Sequence, residues 1–160
     1  MGLLIALVTV AGCGDAPGDS ARTSDPQTKV TIADGLVEDL ARKAQPHTLY
    51  VVGNQYATGD GVEIDQDIAE RLWQVACDKG HAFACANFGS RQIERANYDE
   101  AARALTRAAE NGVTAAMANL VELHNNPHWA GASQEQSARW RDVLQAVENP
   151  QPVQSPIDEP

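Results

Sequence analysis

The chain repeats itself, and a repeat period fixes architecture before any single motif does. Ala76 and Cys77 followed by Gly80 and His81 return as Ala108 and Ala109 followed by Gly112 and Val113, a shift of 32 residues. Val52 and Gly53 likewise return as Phe88 and Gly89, then as Leu120 and Val121. A unit of this length holds two helices and a turn. It cannot bury its apolar stripe alone, so successive units must stack. The helical periodicity agrees: Ala69, Leu72, Trp73 and Ala76 share one face, as do Ala101, Leu105 and Ala108, and then Trp140, Val143, Leu144 and Val147. Trp73, Leu105 and Trp140 read as equivalent positions. Aromatic residues make up only 5% of the chain, and Ala is abundant from Ala69 to Ala118, which suits closely packed helices better than a β-sandwich. The expectation is an all-α fold of three helix pairs.

Local signals set the boundaries. Asp65, then Asn97 with Glu100, then Ser133 with Gln136 are N-cap patterns that open the second helix of each pair. Gly80 and Gly112 stand where a helix ends through a left-handed residue. An earlier helix over residues 31–44 places Ile32, Leu36 and Leu40 on one face and caps the open end of the stack. Ahead of it, residues 13–30 are rich in Gly, Asp, Ala, Pro and Ser and read as a flexible tether. Residues 148–160 contain four prolines and several acids and read as a disordered tail. The folded domain is expected over 31–147.

Residues 1–12 are apolar and end in Ala11 and Gly12 before Cys13. Val10, Ala11, Gly12 and Cys13 resemble the cleavage motif of bacterial lipoproteins, an apolar residue, two small ones and the cysteine that is lipidated. No basic residue precedes Arg22, a departure from the usual signal peptide. The stretch is also shorter than the roughly 20 apolar residues a membrane-spanning helix needs. The resemblance implies removal of residues 1–12, lipidation of Cys13 and a bacterial cell-envelope location facing the periplasm or outside.

The stretch from Leu49 to Gly80 resembles a Sel1-like repeat, a relative of the tetratricopeptide helix pair. Leu49, Tyr50, Gly53 and Tyr56 match the first helix, and Gly59, Asp60, Gly61, Val62 and Asp65 match the loop. Ala69, Trp73, Ala76, Lys79, Gly80, His81 and Ala82 complete the unit. The second unit keeps the helix positions with a shortened loop at Arg95 to Asn97. The third has Val121 for the expected Gly and Asn126 to Gly131 in place of the loop. The resemblance implies a right-handed α/α solenoid of about three Sel1-like pairs with an N-terminal capping helix. Cys77 and Cys85 further resemble the disulfide-bearing subgroup of that family. A cysteine near the end of one helix and another a turn into its antiparallel neighbour come within disulfide reach, and export permits the bond. The alternative is a reduced, buried pair acting as small apolar residues.

The formal charge of −10 repels phosphate backbones, which argues against nucleic acid as a partner. No Ser-x-x-Lys, His-Glu-x-x-His, P-loop or Gly-x-Ser-x-Gly pattern occurs. His124 and His128 have a metal-binding spacing, but Pro127 between them ends a helix, so no metal or cofactor is assigned. Asp65 with Asp67 and Asp99 with Glu100 sit at helix starts, where they stabilise the dipole. Sel1-like proteins are generally adaptors, and the resemblance directs Tyr50, Asn54, Asn87, Ser90 and Glu122 to the concave face as partner contacts. Trp129, in a loop beside His128, is a further contact candidate. The expected function is a lipid-anchored scaffold that recruits envelope proteins. The alternatives are peptidoglycan binding without catalysis and the β-lactam hydrolysis ascribed to some disulfide-bearing relatives, for which the sequence offers no activated serine.

Overall fold

The computed structural model describes residue 35 and residues 37–150. The expected signal peptide 1–12, Cys13, the expected tether 13–30 and the part of the expected tail beyond residue 150 lie outside the described residues, as do Ile32 and Leu36 of the expected capping face. Among the described residues every regular element is a helix. A first helix, α1, covers residues 37–43 in its described part. Then follow α2 (Pro46–Thr58), α3 (Gln66–Asp78), α4 (Ala82–Glu94), α5 (Tyr98–Glu110), α6 (Thr114–Leu123) and α7 (Gln134–Glu148). From α2 onward each helix packs against the next in sequence, with α4 also touching α6, so the pairs α2/α3, α4/α5 and α6/α7 stack into an α/α solenoid.

The turns show why the helices end where they do. Gly80 has φ +91°, and the chain closes with Gly80 N–H donating to Cys77 O (2.8 Å) and His81 N–H to Ala76 O (2.9 Å). Gly112 repeats this at φ +82°, with Val113 N–H donating to Ala108 O (3.1 Å). These bonds satisfy carbonyls that the helix itself leaves open. The end of α4 has the same closure with Ala96 at φ +60°, where an L side chain is strained. At the helix starts, Asp65 Oδ1 accepts from the N–H groups of Asp67 and Ile68 (3.1 Å each), and Ser133 Oγ accepts from Gln136 N–H (3.3 Å). Asn97 occupies the N-cap of α5 but does not cap it. Its amide instead donates to Gln92 Oε1 (2.8 Å), because Gln92 is buried and its carbonyl requires a donor.

Two apolar clusters run through the stack. One holds Leu49, Ile68, Leu72, Trp73 and Phe88, with Val37 and Leu40 of α1 packed on it, so α1 does cover this end. Val37 is its buried residue, and Leu40 is the described member of the face read from sequence. The other holds Leu105, Met117, Leu120 and Leu123 with the Cys77–Cys85 disulfide (S–S 2.10 Å, Cα–Cα 4.5 Å). Close helix approach within a pair depends on glycine. A Cβ on Gly53 would stand 2.7 Å from Trp73 Nε1, and one on Gly89 2.7 Å from Leu105 Cγ.

The third pair departs from the expected pattern. Counted from the N-caps, Trp73 and Leu105 align with Arg141, and Trp140 falls one position earlier, beside Leu72 and Ala104. Val121 takes the place of the glycine that would admit a large ring there. Val143 and Val147 of the predicted stripe are exposed, while Trp140 and Leu144 are partly buried. Among the described residues no helix packs on the outer side of α7, so half of the stripe has nothing to cover it.

Candidate functional site

The first helices of the pairs, α2, α4 and α6, lie side by side and are joined by side-chain hydrogen bonds in a repeating pattern. The residue nine positions after each N-cap is Asn54, Ser90 or Glu122, and the residue six after it is Val51, Asn87 or Asn119. Six and nine residues after a cap lie about one helical turn apart on one face. Asn87 Nδ2 donates to Asn54 Oδ1 (3.1 Å), and Asn119 Nδ2 donates to Ser90 Oγ (2.9 Å). Asn54 Oδ1 also accepts from Trp73 Nε1 (3.0 Å), which ties the ladder to the core. With that carbonyl doubly engaged, the NH₂ of Asn54 is the part of the side chain left for a ligand.

Asn54, Asn87 and Ser90 line a groove of about 620 Å³, with Thr58, Gln66, Trp73, Arg91 and Glu94 on its walls. Its charges are internally matched. Arg91 NH1 donates to Glu94 (2.5 Å), and its Nε faces the carboxylate of Glu70 (3.6 Å), which α3 holds nearly out of water. Glu70 also receives Gln92 Nε2 (2.8 Å) and pairs with Arg95 (2.8 Å). These partners hold the Arg91 guanidinium above its ordinary pKa, with the Glu94 hydrogen bond the main cause. The two hydroxyls in the groove point to backbone: Ser90 Oγ donates to Ala86 O (2.9 Å) and Thr58 Oγ1 to Asn54 O (2.9 Å). Among the described residues neither is hydrogen-bonded to a side chain that could serve as its base.

The structure therefore brings Asn54, Asn87 and Ser90 together. Glu122 occupies the equivalent position on α6 and is exposed beyond the groove. Tyr50 does not line the groove. Its ring stacks on His81 at 4.5 Å, and His81 in turn sets Nε2 3.4 Å from His47 Nδ1. His81 Nδ1 accepts the N–H of Ala84 (3.2 Å) as the N-cap of α4, so its proton sits on Nε2 and is shared with His47. Desolvation, and then the nearby His47, push the His81 pKa below its ordinary value.

Trp129 is half-buried rather than free. Its Nε1 donates to Asp99 Oδ1 (2.7 Å), its ring lies 5.0 Å from that of His124, and Gly131 leaves room for it. It does border a separate shallow cleft of about 410 Å³ with Tyr98, Glu100 and Arg103. His124 is held against Trp129, and desolvation lowers its pKa; His128 is exposed on the turn after Pro127. Asn119, which is not among the contacts expected from sequence, is a full member of the ladder. Its signal was available, because the repeat shift of 32 residues carries Asn87 onto it. Phe83, four residues before Asn87 on the same stripe, was also missed and is exposed.

No family model matches the chain, and no curated protein is significantly similar to it. Among solved structures it is similar to the crystal structure of a Sel1 repeat protein from Oxalobacter formigenes, with 22% identity and a TM-score of 0.58. The match covers 80% of this chain and 53% of that one, so the chain spans about half the length of the protein it resembles. Stacked helix pairs, glycines at the crossings and left-handed turns between pairs together give this chain the Sel1-like repeat fold.

Proposed function

We propose that the chain is a protein-interaction scaffold that receives a segment of another protein on the face formed by α2, α4 and α6. The observation that carries this reading is the amide-lined groove at Asn54, Asn87 and Ser90. Repeated amides pre-positioned by hydrogen bonds to one another pair with the backbone of an extended chain without reordering, which lowers the entropic penalty of binding. The groove's hydroxyls are bonded to helix carbonyls and its carboxylates to arginines, an arrangement suited to holding rather than to turnover.

The scaffold is anchored at a bacterial envelope membrane through lipid on Cys13, a reading supported by the lipoprotein-like run Val10, Ala11, Gly12, Cys13. The disulfide fits the same oxidising compartment. Two measurements test the proposal. Cross-linking in intact cells should capture a recurrent partner with the native chain and lose it with Asn54→Arg, Ser90→Arg and Glu122→Arg combined, once that variant is shown to fold. Metabolic labelling with an alkyne fatty acid should tag the chain and fail on Cys13→Ala. A partner unaffected by the triple change rejects the first-helix face, and an unlabelled native chain rejects the anchor.

A further inference from the structure

We propose that the first-helix face selects an extended segment carrying an apolar or aromatic side chain and, about four residues along, a basic one; this rests on the scaffold reading above. Phe83, Asn87 and Ser90 lie at i, i+4 and i+7 on α4, so Phe83 shares the stripe that forms the ladder. Phe83 is 58% exposed, and Val51, at the ladder position of α2, is 40% exposed. The Tyr50 ring stands 6.3 Å from Phe83. Phe83 near the start of α4, with the Tyr50 ring beside it, and Val51 half-way along α2 thus leave apolar surface open to water, and burying such surface is favourable by roughly 25 cal/mol per Å².

The opposite end is acidic. Glu122 is exposed, and among the described residues no cation pairs with it. Arg91, on the same face, is neutralised by Glu94 and Glu70, so Glu122 carries the uncompensated charge. The −10 charge of the whole chain adds to the pull on a cation. Seven residues along a helix span about 10.5 Å, and a neighbouring helix lies roughly 8–10 Å to the side. The diagonal from Phe83 to Glu122 is then about 14 Å, the length of about four residues of extended chain at about 3.3 Å each. Between the two ends lie the side-chain amides of Asn87 on α4 and Asn119 on α6, which can hold the segment's backbone, with Asn54 beside them on α2.

Selection from a random peptide library displayed against the immobilised full chain tests this. Enriched peptides should carry the apolar and basic pair at that spacing. A fluorescein-labelled representative should bind Phe83→Ser and Glu122→Lys at least about tenfold more weakly than the native chain, a loss ordinary for one anchor contact. Glu122→Lys should also prefer the same peptide with its basic residue changed to Glu. Circular dichroism establishes that both variants fold, and both replaced side chains are exposed. Peptides that need Asn54 and Ser90 but bind Phe83→Ser and Glu122→Lys unchanged overturn the inference and leave the scaffold standing. If no selected peptide responds to Asn54→Arg with Ser90→Arg, both readings fail.

Discussion

Replacing Gly53 by Ala tests how the fold and the candidate site depend on each other. In a helix interior Ala is better than Gly by about 1 kcal/mol, so propensity alone predicts stabilisation. The new Cβ, however, would stand 2.7 Å from Nε1 and 2.8 Å from Cδ1 of Trp73, and 3.3 Å from the backbone carbonyl of Ala69. Trp73 is only 8% exposed, so the ring has little room to retreat. Overpacking of this kind destabilises by about 1–3 kcal/mol. Displacing the ring also breaks its bond to Asn54 and leaves an indole N–H unsatisfied, a further loss of about 1–3 kcal/mol. The net expectation is destabilisation within about 1–5 kcal/mol, near 3 kcal/mol at mid-range, read from the urea midpoint at constant m-value. In a Trp73→Ala background the same substitution should instead stabilise by about 1 kcal/mol. An unchanged penalty in that background would refute the reasoning, because the conflict would then not be with Trp73.

Three further outcomes follow from the turns and caps. Cys77→Ser with Cys85→Ser should lower stability by about 2.5 kcal/mol, the loop-closure value for a sequence separation of 8, and reductant should shift only the native chain. Ala96→Gly should raise stability by about 0.5–1 kcal/mol, since glycine adopts the left-handed φ without the Cβ strain; loss of stability would mean that the turn is not left-handed in solution. Burial, and then the neighbouring His47, hold the His81 pKa below the ordinary imidazole value. The unfolded chain therefore takes up the proton first, and the stabilisation present above that value declines as pH falls through it, levelling off below the folded pKa. Urea midpoints at about pH 7.5 and about pH 5.5 should differ more for the native chain than for His81→Asn, which keeps a cap without titrating. Equal pH dependence of the two would exclude His81 as the cause.

What the sequence disclosed was governed by how locally each feature is determined. Asp65 and Ser133 cap as expected, because a cap needs only its own side chain and the next turn of backbone. Asn97 has the same local pattern and fails, since the buried Gln92 competes for it. Gly80 and Gly112 announce left-handed turns, whereas Ala96 adopts one with no residue signal at all. The stripe on α7 departs from the expected burial for a related reason. Periodicity reports which residues face one way, but burial requires a second surface, and the outer side of α7 has none among the described residues.

The site follows the same logic, carried by the repeat. A residue recurring at a fixed offset from each N-cap has a counterpart on the neighbouring helix, so Asn54, Asn87 and Ser90 were legible and Asn119 should have been. Tyr50 breaks the pattern because it is five, not six, residues after its cap, a rotation that turns its ring onto His81. The offsets also account for the polarity of the face. Each rung pairs an acceptor nine residues after one cap with a donor six after the next, so a series of three helices leaves one donor position and one acceptor position without a rung. Those leftover positions are Val51 and Glu122. A polar donor at Val51 would have no partner in the ladder, and an amide at Glu122 would add none. The residues free to depart from the repeat are therefore an apolar one and an acidic one, and they give the face its direction.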